Sequence, residues 1–184
     1  MASTFRHRSG PTNSIAVLAD SAAPIEVGDL VYQDPTSKKA KPASAMINQG
    51  SEALNQDVFQ SFFLGVALQK NGAQTNELLP LNSTVVRMPA NVIEIATTGD
   101  FEFDCASTTW KTGDLVGAAN NAGGTALLNQ SVKTAASASL AIGRAVPEPN
   151  AIAAARTTVV VRIKSTILEA GILNQVAGSS SGAV

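Results

Sequence analysis

The sequence predicts an all-β protein, a compact β-barrel or sandwich with an internal pseudo-repeat and an extended N-terminal arm. Three observations support this prediction. Apolar and polar residues alternate over several short segments, Gly, Asn, Pro and Asp interrupt these segments at short intervals, and the tetrapeptide Gly-Asp-Leu-Val occurs at both 28–31 and 113–116. A period of two is typical of half-buried strands, and closely spaced turns are typical of barrels and sandwiches.

The ends of the chain differ from its centre. Residues 1–14 combine Ser, Thr, Arg, Gly, Pro and Asn without periodicity, which predicts a flexible arm. Residues 178–184 read Gly-Ser-Ser-Ser-Gly-Ala-Val, which predicts a flexible tail. Residues 15–177 between them form the predicted β-rich domain.

Two segments give the clearest strand patterns. Phe101, Phe103 and Cys105 alternate with acidic residues, so they are expected on one buried face, with Cys105 as a buried apolar thiol. In 158–164 the predicted inner face carries Val159, Val161 and Ile163, and the outer face carries Thr158, Val160, Arg162 and Lys164. Further strands are predicted at 14–18, 30–33, 64–69, 84–88, 91–96, 114–117 and 141–146.

One segment, 51–63, predicts a short helix. Ser51 is a suitable N-cap, and Leu54, Val58 and Phe62 follow at helical spacing. The segment from Ser165 is ambiguous because Gly171 lies in its middle; we expect the end of a strand followed by a turn or a short helix.

The repeated tetrapeptide is followed by further matches in the same order. The segment Leu64-Gly65-x-Ala67 aligns with Ile142-Gly143-x-Ala145, and the residues around Arg87 align with those around Arg162. Together these matches predict a duplication with halves at about 27–90 and 112–165. The alternative is that a protein of strands and turns reuses Gly-Asp turns and Val-rich strands without duplication.

The composition excludes several kinds of partner and site. The chain has 13 basic and 14 acidic side chains and a net charge of −1, which argues against nucleic acid as a partner. We found no secretory signal and no apolar segment of membrane-spanning length, so we expect synthesis in a cytoplasm and no membrane partner. A single cysteine, Cys105, excludes an internal disulfide.

The sequence predicts no catalytic, cofactor or metal site. The only histidine, His7, lies in the predicted arm, where it cannot be held in catalytic geometry. Asp100, Glu102 and Asp104 share one strand face, which we interpret as solvated, with a hard-cation site as the alternative. The Gly-rich segment 120–126 is interpreted as a hairpin tip, and the cluster Lys38, Lys39 and Lys41 as a solvated loop or a contact for an acidic partner.

Two segments carry a resemblance to a known family. The segments 98–146 and Phe62-Phe-Leu-Gly-Val-Ala-Leu-Gln-Lys70 resemble the small β-rich decoration, or cement, proteins of tailed-bacteriophage capsids. The shared features are Gly-Asp-x-Val turns, an Ile-Gly-x-Ala strand and many small residues, over about 25–167. The resemblance implies a non-enzymatic virion protein on the capsid exterior, which bridges neighbouring major capsid proteins.

Several expectations follow from this resemblance and from the arm. The partner would be the major capsid protein, and the chain would act as a homo-oligomer, most simply a trimer. Phe5, Arg6 and Arg8 are the candidate partner-binding residues, with Phe5 in an apolar pocket and the arginines on acidic groups. The alternatives are another virion part, such as a head fibre or tail component, and a small β-barrel hydrolase or sugar-binding module.

Overall fold

Strands dominate the computed structural model, which describes residues 7–71, 91–146 and 155–168. The helix α1 (Glu52–Ser61) lies between the strands Ala40–Pro42 and Phe63–Ala67, 3-10 turns occupy Ala43–Ala45 and Ala138–Leu140, and residues 166–168 are also helical. The described strands are β1 (His7–Ser9), β2 (Ser14–Leu18), β3 (Leu30–Gln33), β4 (Ala40–Pro42), β5 (Phe63–Ala67), β6 (Val92–Ala96), β7 (Thr98–Thr108), β8 (Leu115–Asn120), β9 (Leu127–Thr134), β10 (Gly143–Ala145) and β11 (Arg156–Lys164). The predicted all-β class is confirmed.

The strands form two sheets with the same internal order. One sheet runs β2-β6-β5-β3-β4, and the other runs β7-β11-β10-β8-β9, with β1 added at the edge of β7. Parallel pairing of β7 with β9 closes the second sheet into a five-stranded barrel. In the first sheet a single parallel bridge between Ala19, the residue after β2, and Ala40 in β4 lies at the corresponding place. We refer to these two five-stranded units as the first and the second barrel.

The strand registers match between the two sheets, which shows the internal repeat. Each sheet places its strands in the sequence order first, fifth, fourth, second, third. The pair Val31–Gly65 in β3 and β5 corresponds to Val116–Gly143 in β8 and β10. The repeat units therefore run from β2 to β6 and from β7 to β11, so both predicted halves began one strand too late and the first also ended too early.

The third sequence match in the predicted repeat is wrong. Arg162 in β11 lies opposite Arg144 in β10. In the first sheet, Val66 in β5 corresponds to Arg144, and the residue opposite Val66 is Ala96 in β6. The partner of Arg162 in the repeat is therefore Ala96 and not Arg87. Residues 84–88, where a separate strand was predicted, lie outside the described residues.

The two Gly-Asp turns share one local hydrogen bond. Asp29 accepts from the backbone N–H of Glu26 at 2.9 Å, and Asp114 accepts from that of Lys111 at 2.7 Å. Gly28 and Gly113 both have φ near +90°, at 90° and 86°, a conformation that favours glycine. Each turn thus uses the glycine to reverse the chain and the carboxylate to satisfy a backbone donor.

The hydrophobic core has two parts that follow the repeat. A smaller cluster fills the first barrel and contains Ala19, Ile25, Val31, Ala40, Leu64, Ala67, Ile93 and Ile95. Their counterparts in the second barrel belong to the larger cluster or pack against it; these are Cys105, Trp110, Val116, Val132, Ile142, Ala145, Val159 and Val161. The larger cluster also includes Leu30, Val66 and Ala96 from the outer face of the first barrel, and it therefore joins the two halves.

The helix begins where predicted but buries another face. The Ser51 side chain accepts from the N–H of Leu54, which confirms the N-cap, although Leu54 itself is 51% exposed. The fully buried positions are Asn55, Gln56 and Phe59. Gln56 is buried because its side-chain amide donates to the carbonyl of Ala118 in β8, at 2.7 Å, and so links the helix to the second barrel.

One prediction about a strand face needs correction. Strands β2 and β3 have the predicted bounds, and Phe101 and Phe103 are buried as expected. However, Val160 was assigned to the solvent face of β11 and is only 7% exposed. This strand lies between β7 and β10 in its sheet, and Val159, Val160 and Val161 are all at most 7% exposed, so both of its faces are covered at this point.

Candidate interaction surface

The described part of the predicted arm is attached to the second barrel. His7–Ser9 forms strand β1, which pairs antiparallel with β7 at Asp100 and Phe101. The His7 ring lies edge-on to Phe101, with 5.4 Å between the ring centroids. The expectation of an unstructured arm is therefore wrong for these three residues, because β9 leaves the first half of the β7 edge open and β1 pairs there.

The structure describes one of the three candidate partner-binding residues, Arg8. Phe5 and Arg6 lie outside the described residues. Arg8 lies in β1, where its guanidinium Nε donates to Glu102 Oε2 at 2.6 Å and its Nη2 contacts the same oxygen. The binding of Arg8 to an acidic group of a partner stays a prediction, and in the isolated chain the side chain is already paired.

The acidic face of β7 is not uniformly solvated. Asp100 is 1% exposed and receives hydrogen bonds from Ser9 Oγ, at 2.9 Å, and from Arg162. The side chain of Glu102 is 5% exposed, and only Asp104 faces solvent as predicted. The prediction was wrong for Asp100 because β1 and β11 flank this end of β7 and carry donors to its carboxylate.

Two nitrogens of Arg162 hold Asp100 in a fork. Nε donates to Oδ1 at 2.7 Å and Nη2 to Oδ2 at 2.9 Å. These hydrogen bonds lower the pKa of Asp100 below its ordinary value of 3.8, and they outweigh the opposing effect of burial. The carboxylate therefore stays ionised at neutral pH and orients the Arg162 side chain, which remains 67% exposed.

A groove with cationic walls lies beside this pair. It has a volume of about 430 Å³. Its walls carry Arg144, Arg162 and Lys164, and its apolar floor includes Leu115, Ala141 and Ile142. Gln60 from α1 and Ser165 and Thr166 after β11 complete one side. The arrangement can bind an anionic group next to an apolar one.

A second cleft, of about 880 Å³, lies between the halves and contains a buried carboxylate. Asp29 is 2% exposed and accepts from the side-chain amides of Asn129, at 3.2 Å, and Gln130, at 2.8 Å. Burial raises the pKa of Asp29. Since both amides come from β9, this carboxylate connects the first Gly-Asp turn to the second barrel and is not directed at a ligand.

The other residues singled out in the sequence have structural partners. Lys41 forms ion pairs with Asp34 and Asp20, whereas Lys38 is exposed. Segment 120–126 joins β8 to β9, so the predicted hairpin tip is confirmed. Cys105 is half-buried and accepts a hydrogen bond from Trp110 Nε1 at 3.3 Å; burial raises the pKa of the thiol, which disfavours the reactive thiolate.

Sequence reasoning missed the groove. Its cations lie on two strands, Arg144 on β10 and Arg162 and Lys164 on β11, and the two arginines meet only because β10 pairs with β11 in this register. A correct alignment of the two repeats could have indicated this site. It places the apolar residues Val66 and Ala96 at the positions of Arg144 and Arg162, so that cations replace apolar residues in the second half.

Within 7–71, 91–146 and 155–168, no three His, Cys, Asp or Glu side chains are grouped to hold a metal ion. Within the same ranges, no helix has the length and apolarity needed to cross a membrane. No protein-family model matches the chain, and no curated protein is significantly similar to it.

Proposed function

We propose that this chain is a structural virion protein that binds the outer surface of a tailed-bacteriophage capsid and stabilises it by bridging neighbouring major capsid proteins. The observation that carries the proposal is the role of the motifs behind the resemblance. The Gly-Asp-Leu-Val turns and the Phe-Leu-Gly-Val-Ala and Ile-Gly-x-Ala strands are equivalent parts of two joined barrels. These motifs therefore build the framework of the protein, and this structural role supports a protein that acts through its outer surface.

The polar side chains of the described residues support a binding role over a catalytic one. Asp100, Glu102 and Asp29 are engaged by arginines or amides within the chain, and the thiol of Cys105 is unactivated. Nucleophilic or acid–base catalysis needs a positioned base with a suitable pKa beside the reacting group. We therefore propose a non-enzymatic protein without a cofactor, and we prefer this to a hydrolase or a sugar-binding module.

The test uses virions of the phage that encodes this chain, with and without its gene. Particles that lack the protein should assemble but lose their DNA at a lower temperature, and purified protein added back should restore the heat resistance. Density on the outer shell in cryo-electron microscopy would identify the binding position, and the stoichiometry there would test the proposed trimer. Density confined to the tail or to a head fibre would instead favour the alternative virion roles.

A further inference from the structure

The three cations of the groove lie close together on one sheet face. Arg144 and Arg162 are directly opposite each other in the antiparallel pair of β10 and β11, and Lys164 is two residues further along β11 on the same face. Like charges in directly opposite positions destabilise a sheet. None of the described residues that line the groove is acidic. This arrangement favours an anionic group from another molecule.

The cations already have partners that orient them. Arg162 is held by Asp100 on β7, and Arg144 Nη1 donates to the carbonyl of Gly113 at 2.9 Å. Both side chains nevertheless remain exposed. Arg144 is held at one nitrogen and Arg162 at two, and each guanidinium has further N–H groups. An arginine held in this way can still donate to a carboxylate, and it loses less conformational entropy when it does so.

The corresponding face of the first barrel is a packing surface. The counterparts of Leu115, Arg144 and Arg162 are Leu30, Val66 and Ala96. These three residues are at most 1% exposed and belong to the core cluster that joins the halves. In the first half, this face of the repeat packs against the rest of the chain. In the second half, the same face is exposed and carries cations in place of apolar residues.

A difference in one connection explains why the second face is uncovered. In the first half, residues 43–62 link β4 to β5 and contain α1, whose Phe59 packs against Tyr32 and Phe63. In the second half, residues 135–142 link β9 to β10 and contain only a 3-10 turn. This shorter connection forms a wall of the groove through Ala138 and Ala141 and leaves its cations accessible.

We infer that this groove docks an acidic segment of a partner protein, with carboxylates on Arg144 and Lys164 and an apolar side chain on the floor beside Leu115 and Ile142. Charge complementarity selects the acidic partner, and the apolar floor selects a peptide over a nucleic acid, whose binding needs a more extended basic surface. The inference goes beyond the proposed function, because the chemistry of the segment follows from the groove whether or not the partner is a capsid protein.

The test measures binding of a fluorescein-labelled peptide, Glu-Leu-Glu-Leu-Glu, by fluorescence anisotropy. The double variant R144Q/K164Q should weaken binding about tenfold, since two charge-assisted contacts are lost. The matched control K38Q/K39Q removes the same charge from a loop outside the groove and should change the affinity less than about twofold. A Glu-Ser-Glu-Ser-Glu peptide should bind more weakly than the leucine peptide, because it lacks the apolar contact.

A second measurement does not depend on the variants folding. Titration of the labelled peptide into ¹⁵N-labelled wild-type protein should shift the amide signals of β10 and β11. Three results would each overturn the inference: no binding by the wild-type protein, equal loss of affinity in both double variants, or tighter binding of a 20-base-pair DNA duplex at the same residues. No capsid takes part, so these outcomes are independent of the test of the proposed function.

Discussion

The bidentate contact of Arg162 with Asp100 joins β11 to β7 and fixes an otherwise exposed guanidinium over a buried carboxylate. Asp100→Asn keeps the shape but removes the charge, and it places an amide group next to the donors of Arg162 and Ser9. We expect a loss of about 1–3 kcal/mol in the free energy of unfolding at pH 7, measured by urea denaturation. Asp104→Asn, at an exposed carboxylate of the same strand, should change stability by less than about 0.5 kcal/mol.

The same pair predicts a pH dependence with a definite sign. Since the pKa of Asp100 is lower in the folded chain than its ordinary 3.8, the carboxylate stabilises the fold above about pH 4. This stabilisation is lost as the pH falls through the folded value. The gap in unfolding free energy between the wild-type protein and Asp100→Asn should therefore narrow below pH 4. A gap that stays constant from pH 7 to pH 2 would show that the charge of Asp100 is not responsible.

Gly65 and Gly143 lie at equivalent positions of the repeat, and we expect any side chain there to destabilise the fold. A Cβ at Gly65 would lie 1.9 Å from the carbonyl oxygen of Ala96, and one at Gly143 would lie 2.3 Å from that of Arg162. Alanine at either position would push neighbouring strands apart, at a cost of about 1–3 kcal/mol or more. We expect Gly65→Ala to be the worse, because its φ of +150° adds backbone strain.

The matched control is Gly123→Ala in the β8–β9 hairpin, where the nearest atom to the new Cβ would be 3.7 Å away. Thermal unfolding monitored by circular dichroism should leave this variant within a few degrees of the wild-type protein. If Gly65→Ala and Gly143→Ala melt at the same temperature as the control, the close approach of the strands does not require glycine at these two positions.

The sequence predicted the elements whose pattern is local. Strands β2 and β3 have the predicted bounds, and the Ser51 cap was identified because capping chemistry depends on adjacent residues. Strand β4, in contrast, has three residues and contains Pro42, so it gave no alternation to detect. The buried Gln56 contradicted the apolar spacing of α1 because its partner, Ala118, comes from the other half of the chain.

The repeat and the candidate site show where local patterns fail. The strands of the repeat correspond with different sequence offsets, since the intervening connections differ in length. A search at nearly constant spacing therefore matched Arg162 with Arg87 and missed Ala96. The groove could not be predicted without the correct correspondence, because its residues come from β8, β10 and β11, from the segments next to these strands, and from α1.

The two Gly-Asp turns predict unequal effects of one substitution. Asp29 is buried and accepts from Glu26 N, Asn129 and Gln130, whereas Asp114 is half-buried and accepts from Lys111 N. Asp29→Ala leaves buried donors without an acceptor and should cost about 1–3 kcal/mol. Asp114→Ala should cost less, because water can replace its acceptor. If both variants lose the same free energy of unfolding in urea denaturation, the hydrogen bonds of Asn129 and Gln130 to Asp29 do not contribute as predicted.

The pH response of Asp29 should be opposite to that of Asp100. Burial raises the pKa of Asp29 above its ordinary 3.8, so its contribution to stability is complete below about pH 4 and is lost as the pH rises through the folded value. Asp29→Asn cannot ionise and should remove this decline. Urea midpoints of the variant and the wild-type protein at pH 3 to 7 measure the difference, and parallel curves would contradict the prediction.

The N-terminal segment predicts different effects for two truncations. Deletion of residues 2–9 removes β1 and with it the Ser9–Asp100 hydrogen bond, the Arg8–Glu102 pair and the His7–Phe101 contact. The ion pair contributes little because Arg8 is about half exposed, so the hydrogen bond and the uncovered β7 edge dominate. We expect a loss of about 1–2 kcal/mol, or roughly 2–8 °C in the melting temperature of the free protein.

Deletion of residues 2–6 is the matched control and also tests the predicted roles of Phe5 and Arg6. It retains β1, so the free protein should melt at the wild-type temperature. If Phe5 and Arg6 bind the capsid, this deletion should still weaken attachment to salt-washed or heated particles, because the partner loses an apolar anchor and a charge. Unchanged attachment would exclude these two residues and direct the search for the binding surface to the barrels, where the groove beside Arg144 is the first candidate.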